Sequence, residues 1–435
     1  MSTPATIDAL GGVYGSDARP ARGPIRRFFS FAGPGALVAV GYIDPGNWAT
    51  DLAGGSRFSY ALLSVVLVSS LMAMLLQALC VRLGVASGRD LAEGCRERWP
   101  RAAAPLWIVA ELAVVATDLA EVIGSAIALE MLFHVPLAAG VALTALDVLL
   151  LLGLEQRGAR VLELFVTALV IVVAACFAYE LSLCRPDGGA VLRGYLPTRA
   201  LLHDRGMLYV AVGIVGATVM PHNLFLHASL VRARAAALPA AGRPSAVRHA
   251  TLDAVISLGG AMLINSAILV LAAAVFHRAG RYEVAELRDA HRLLVPLLGS
   301  VGAGTAFAVA LLAAGQSATL TGTMAGQVVM SGLVQVRARP WARRLVTRAL
   351  AIVPALAVAV AAGERAMGDL LVGSQVALSL ALPFAVVPLL LLAADRRRMG
   401  DLASPRWMTG CGWACAAVIV ALNGWLIAGA ATGTP

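Results

Sequence analysis

The chain has 435 residues, of which 59% are hydrophobic and only 14% charged, with a mean hydropathy of +0.81. Soluble domains carry nearer a quarter charged residues, so this composition excludes a water-soluble globule and points to a polytopic membrane protein. The net charge of +9 is no nucleic-acid signal: every basic residue is Arg, none is Lys, and no basic patch is interleaved with aromatics.

Residues 1–30 are polar and carry Arg19, Arg22, Arg26 and Arg27. No apolar stretch precedes a cleavage site, so they read as an arm on the charge-rich side of the membrane and not as a signal peptide. A spanning helix needs about 20 mostly apolar residues. By that rule eleven segments are expected, near 32–55, 60–83, 104–132, 135–155, 161–182, 206–230, 251–276, 299–332, 345–362, 367–393 and 407–430. The eighth is too long for one span and should begin or end outside the bilayer.

Arg placement orients them. The arm and the loops near 84–103, 156–160, 231–249, 333–344 and 394–406 are Arg-rich and should share one side. The opposite links are short, near 56–59, 133–134 and 363–366, or mixed in charge, near 183–205 and 277–298. This predicts a multi-pass protein of the cell (inner) membrane, with a cytoplasmic N-terminus and an external C-terminus.

The first segment contains a local violation. Gly41 to Thr50 reads Gly-Tyr-Ile-Asp-Pro-Gly-Asn-Trp-Ala-Thr. A carboxylate at bilayer depth costs roughly 2.5–3.5 kcal/mol on insertion scales. Pro45 removes the donor that the Gly41 carbonyl would use, and Gly46 permits a bend. The sixth segment repeats the pattern: in Gly216 to His227, Pro221 frees the Ala217 carbonyl, and His222 and Asn223 add polar groups. Broken backbone at this depth is tolerated only against protein or a water-filled cavity. Paired breaks in segments one and six point to a transporter made of two inverted five-helix repeats, about 31–183 and 205–393. Together they form a core over 31–400, with an eleventh helix added in 401–435.

Facing one another, the breaks would present the Asp44 carboxylate, the Asn47 amide oxygen, the Ala217 carbonyl and the Met220 thioether. Carboxylate and carbonyl oxygens make a hard-cation site. A thioether makes it softer and favours transition metals such as Mn²⁺ and Fe²⁺ over Mg²⁺ and Ca²⁺. Each residue also has a plainer reading. Met220 could be packing, Asp44 could cap the second half-helix, and His222 could bond a free carbonyl. Six cysteines, at 80, 95, 176, 184, 411 and 415, include no C-x-x-C pair and read as apolar packing.

Asp44-Pro-Gly-Asn-Trp-Ala-Thr-Asp (44–51) with Ala-Thr-Val-Met-Pro-His-Asn (217–223) closely resembles the Nramp family of proton-coupled divalent metal transporters, in its bacterial manganese/iron branch. Arg82-Leu-Gly, Gly88-Arg-Asp-Leu-Ala, Ala116-Thr-Asp-Leu-Ala-Glu, Ala314-Gly-Gln-Ser-Ala-Thr-Leu-Thr-Gly-Thr and Ser374-Gln-Val-Ala-Leu-Ser-Leu-Ala-Leu-Pro-Phe-Ala look like further family segments, so the likeness covers about 30–400. The resemblance implies an all-α, LeuT-like five-plus-five fold with helices one and six unwound. It implies a metal site of Asp44, Asn47, Ala217 and Met220, with Gln375 of the tenth helix as a further ligand. Many relatives have Gln where this chain has Ala381. Magnesium-carrying relatives lack the methionine, so Met220 argues against that branch.

Asp118 and Glu121, three residues apart on one helix, share a face. The resemblance makes them proton carriers, with Arg348 at the start of the ninth helix as counter-charge, Asp44 as both ligand and proton acceptor, and His222 as relay. The plainer reading is a structural ion-pair network. Asp147 and Glu163 are also intramembrane acids; Glu163 is expected at a helix end, and Asp147 has no assigned role.

The expected protein is an H⁺-coupled symporter importing Mn²⁺ or Fe²⁺, with Cd²⁺ and Co²⁺ as further cargo, by alternating access. An uncoupled facilitator and an organic-substrate transporter of the same fold are the alternatives. It is expected to be a monomer in the bilayer, with no resident cofactor. No H-E-x-x-H, G-x-S-x-G or P-loop pattern suggests an enzyme.

Overall fold

The computed structural model describes residues 33–147, 153–154, 157–236, 238–284, 286–335, 340–361 and 363–431, so the N-terminal arm lies outside the described residues. Among the described residues all regular structure is helical. The first predicted segment is two helices, α1 (Pro34–Gly41) and α2 (Pro45–Phe58). Then come α3 (Leu63–Ser87), α4 (Leu91–Arg98), α5 (Ala103–Phe133), α6 (Leu137–Leu143), α7 (Ala159–Cys184) and α8 (Gly188–Gly194). The sixth segment is α9 (Arg205–Thr218) and α10 (Pro221–Ala235). The rest are α11 (Arg243–Ala272), which runs on into a π turn, α12 (Leu287–Leu298), α13 (Val301–Leu333), α14 (Pro340–Ala361), α15 (Gly363–Ala381), α16 (Pro383–Ala393) and α17 (Arg406–Ala431).

Among the described residues, eight helical stretches are long and apolar enough to cross a membrane. Of the other three expected segments, the first is α1 and α2, the ninth lies within the 22-residue α14, and the fourth extends into residues outside those described. The eighth is one 33-residue helix. At 1.5 Å per residue it is about 50 Å long, longer than a hydrocarbon core of about 30 Å. The tenth segment, expected as continuous over 367–393, comprises α15 and α16 with Leu382 between them in helical backbone, and it counts as one span, Leu370–Ala393. Helix α14 begins at Pro340, so Arg348 lies two turns inside it and not at its start.

The two broken helices run antiparallel. A Cβ on Gly41 would fall on the Asn223 amide, Asn47 bonds Ala217, and a Cβ on Gly213 would meet Thr50. One chain rises from 41 to 50 while its partner falls from 223 to 213. Accordingly α1 packs on α10 and α2 on α9, while α11 lies along both α1 and α2. Trp48 locks α2 from the other flank, edge-on to Phe177 of α7 and Phe307 of α13 at 4.8 and 5.2 Å between ring centres.

Side-chain bonds confirm that the Arg-rich loops share one end. Arg232 pairs with Asp90 and Glu93, Arg243 donates to the Ala86 carbonyl, Arg96 to Gly332, and Arg398 pairs with Glu97. Arg234 and Arg160 both pair with Glu163, which does sit in the first turns of α7. At the other end Arg288 pairs with Glu130, and Ser56 donates to the Val284 carbonyl.

The Arg232 cluster is buried, with Asp90 and Glu93 side chains fully covered. Burial and the neighbouring Glu93 push the Asp90 carboxyl from its ordinary 3.8 up to about 6, against the pull of Arg232. A folded-state pKa above the unfolded one means that ionising Asp90 costs stability as pH rises from about 4 through 6, and nothing below. Arg232→Ala leaves two buried acids uncompensated and should cost about 3–5 kcal/mol. Thermal unfolding in detergent should show the larger loss at pH 7.5 and a smaller one at pH 5. Equal losses would mean that the cluster is not charged as described.

Candidate metal site

Each break is built by its proline. Before Pro45 the chain leaves the helix, and Asp44 becomes the N-cap of α2, its Oδ1 accepting from the Asn47 backbone N–H at 2.9 Å. Carbonyls freed by the break are met from the side: the Trp48 indole donates to Ile43 at 3.0 Å and Asn265 to Tyr42 at 2.8 Å. At the second break Met220 takes extended backbone before Pro221, and Ala217 turns its carbonyl to the first break.

There the donors meet. The Asn47 side-chain amide donates to Asp44 Oδ1 at 2.6 Å and to the Ala217 carbonyl at 3.1 Å. Asp44, Asn47, Ala217 and Met220 are at most 1% exposed. The cap reading of Asp44 holds for one oxygen and leaves the other open: Oδ1 caps α2, while Oδ2 accepts no hydrogen bond among the described residues. Gln375 of α15 lies against the break, since a Cβ on Gly46 would fall on its amide. Its amide nitrogen donates to Ser374 at 3.0 Å, and among the described residues Oε1 has no donor. Met220 sulfur accepts weakly from the Asn223 amide at 3.5 Å, a contact the sequence reading did not assign. Ala381 packs elsewhere, in a small apolar cluster with Ala113 and Leu378, so α5 keeps that position dry.

The second group of predicted residues lies on α5, α10 and α14. Asp118 and Glu121 both face Gly322 of α13, where a Cβ would come 3.3 and 3.1 Å from their oxygens, so they do share a face. Arg348 is 3.6 Å from Glu121. Its nearer acid is Asp147 at 3.1 Å, the residue the sequence left without a role. Only its intramembrane position pointed to it. His222 Nδ1 lies 3.5 Å from the Thr117 hydroxyl, beside Asp118, rather than on a freed carbonyl. His227 belongs to a separate chain: its Nδ1 donates to Gln77 at 2.8 Å, and Gln77 donates to the Tyr42 hydroxyl at 2.8 Å.

The arrangement can accept a cation: buried oxygens without donors, one full negative charge and one sulfur, at a point where two helices are open. Among the described residues no cluster of three His, Cys, Asp or Glu exists, which sets it apart from a structural zinc centre.

A family model described as Nramp, natural resistance-associated macrophage protein-like, matches residues 35–429. The divalent metal cation transporter MntH of Nostoc sp. is 53% identical over 403 residues, 92% of this chain and 91% of that protein. The crystal structure of the Eremococcus coleocola manganese transporter, in complex with an aromatic bis-isothiourea compound, matches with a TM-score of 0.88. Its identity is 38%, over 95% of this chain and 89% of that one. The nucleobase-cation-symport-1 transporter Mhp1 shares the fold alone, with a TM-score of 0.61 at 16% identity over 86% of this chain and 81% of that one.

Proposed function

The chain belongs to the Nramp family, and from that premise we propose that it is an H⁺-coupled symporter importing Mn²⁺ or Fe²⁺ by alternating access. The fold is LeuT-like, multi-pass and not that of an enzyme. The observation that carries the reading is the free Asp44 Oδ2, buried where Asn47 bridges to the Ala217 carbonyl. In this proposal Asp44, Asn47, the Ala217 carbonyl and Met220 hold the metal, and Gln375 Oε1 adds an oxygen. Asn47 must turn its amide so that the oxygen, not the nitrogen, faces the ion.

The proton leaves Asp44 by way of His222 and Thr117 toward Asp118 and Glu121, with Arg348 and Asp147 balancing charge beyond them. An organic carboxylate is a poor alternative cargo, because Asp44 already occupies the N-terminus of α2 with a negative charge. The Arg-rich end faces the cytoplasm of a cell membrane, and the C-terminus lies outside.

The test is Mn²⁺ uptake into proteoliposomes at several external pH values with a pH dye inside. Metal entry with acidification of the lumen is expected. Entry without acidification removes the coupling, and no entry removes the transport reading itself.

A further inference from the structure

The first break sets two acceptors against one donor. In a continuous helix the Ile43 carbonyl would accept from the Asn47 backbone N–H, four residues on. That N–H is taken by Asp44 Oδ1 at 2.9 Å, and the Asn47 side chain donates to the same oxygen at 2.6 Å. Ile43 is 2% exposed, and a carbonyl so buried needs a partner from the protein.

Trp48 supplies it. Its indole N–H donates to the Ile43 carbonyl at 3.0 Å, and its backbone N–H to the Asp44 carbonyl at 3.2 Å. One residue thus ties the two carbonyls that stand just before Pro45. An indole is a donor only, so it does not itself ligate a metal. The ring is fully buried and firmly seated, with Phe177 of α7 and Phe307 of α13 edge-on to it at 61° and 71°. At the matching position after the second break, four residues beyond Met220, stands Leu224, whose side chain has no donor.

On the transport reading above, which it deepens, we propose that Trp48 is a positioning residue for the metal. By satisfying the Ile43 carbonyl it leaves the Asn47 N–H to Asp44 Oδ1. The carboxylate is then held in the one orientation that keeps Oδ2 for the ion. Without the indole N–H the Ile43 carbonyl draws on the Asn47 N–H, and Asp44 loses a bond that fixes it. Groups that orient a metal ligand are worth about 10–100-fold in affinity. The loss falls on the charged ligand that all divalent cations share, so Mn²⁺ and Cd²⁺ weaken together, unlike the loss of the Met220 sulfur.

The test removes the N–H alone. Trp48→benzothienylalanine, introduced by nonsense suppression, carries sulfur in place of the indole nitrogen and keeps the size of the ring and its edge contacts. In proteoliposomes KM for Mn²⁺ and for Cd²⁺ should each rise about tenfold, with Vmax within about twofold. Trp48→Phe also lacks the donor and should show the same rise in KM. An unchanged KM in the benzothienylalanine protein, or a fall in Vmax alone, overturns the assignment and leaves Trp48 a packing residue. So does failure of that protein to run as a monodisperse species, since the N–H would then serve folding. Wild-type protein that takes up no Mn²⁺ would instead remove the transport reading itself.

Discussion

Asp44→Ala takes up Mn²⁺ at less than about one hundredth of the wild-type rate, since losing even an outer partner of a metal ligand costs 10–100-fold. Asp44 supplies the only full negative charge of the proposed ligand set, and its Oδ2 is buried with no hydrogen bond among the described residues. The substitution also removes the cap on α2, which costs about 1 kcal/mol and should leave the protein folded. Asp44→Asn separates the two roles: its side-chain oxygen still caps Asn47, but the charge is gone. It should be as inactive as Asp44→Ala while eluting from size exclusion as the wild type does. Substantial uptake by Asp44→Asn would show that the cap, not the charge, is what transport needs, and the proposed site would be wrong.

Met220→Leu lowers the preference for Cd²⁺ over Ca²⁺ by about a hundredfold, again on the scale of a lost contribution to metal affinity. Leucine keeps the volume of this fully buried side chain and removes the sulfur, so packing changes little. Met220→Ala removes both and opens a cavity worth about 2–5 kcal/mol of stability, which makes it the weaker test alone. The reading is inhibition of Cd²⁺ uptake by added Ca²⁺. Wild-type protein should resist Ca²⁺, and Met220→Leu should be inhibited readily. Equal inhibition of the two would make Met220 a packing residue, the plainer reading of an isolated methionine in an apolar segment.

The break positions were legible because proline acts locally. Pro45 and Pro221 each stand among polar or glycine neighbours, Asp44, Gly46 and His222, and start helices, whereas Pro354 and Pro388, among apolar residues, stay inside theirs. Pro383 likewise starts α16, but Leu382 before it stays in helical backbone, so the tenth segment remains one span. The four groups proposed as ligands were named for the same local reason, since they flank the two prolines. Asp147 was not assigned because its partner, Arg348, lies 201 residues away. Spacing along the chain carries no information about such a pair unless a repeat or motif links them.

The sequence by itself determined the membrane class, the two interruptions and the chemical character of the donors, since apolar length, a missing N–H and ligand softness belong to residues. The tertiary structure decided which groups face each other. It laid the broken helices antiparallel and bridged them from Asn47 to Ala217. It used Asp44 Oδ1 as a cap and left Oδ2 open, placed Gln375 against Gly46, and kept Ala381 in a dry contact with α5. The physical reason is that the freedom of a polar atom is a property of its neighbours. Those neighbours come from helices far apart in the chain, brought together only by packing.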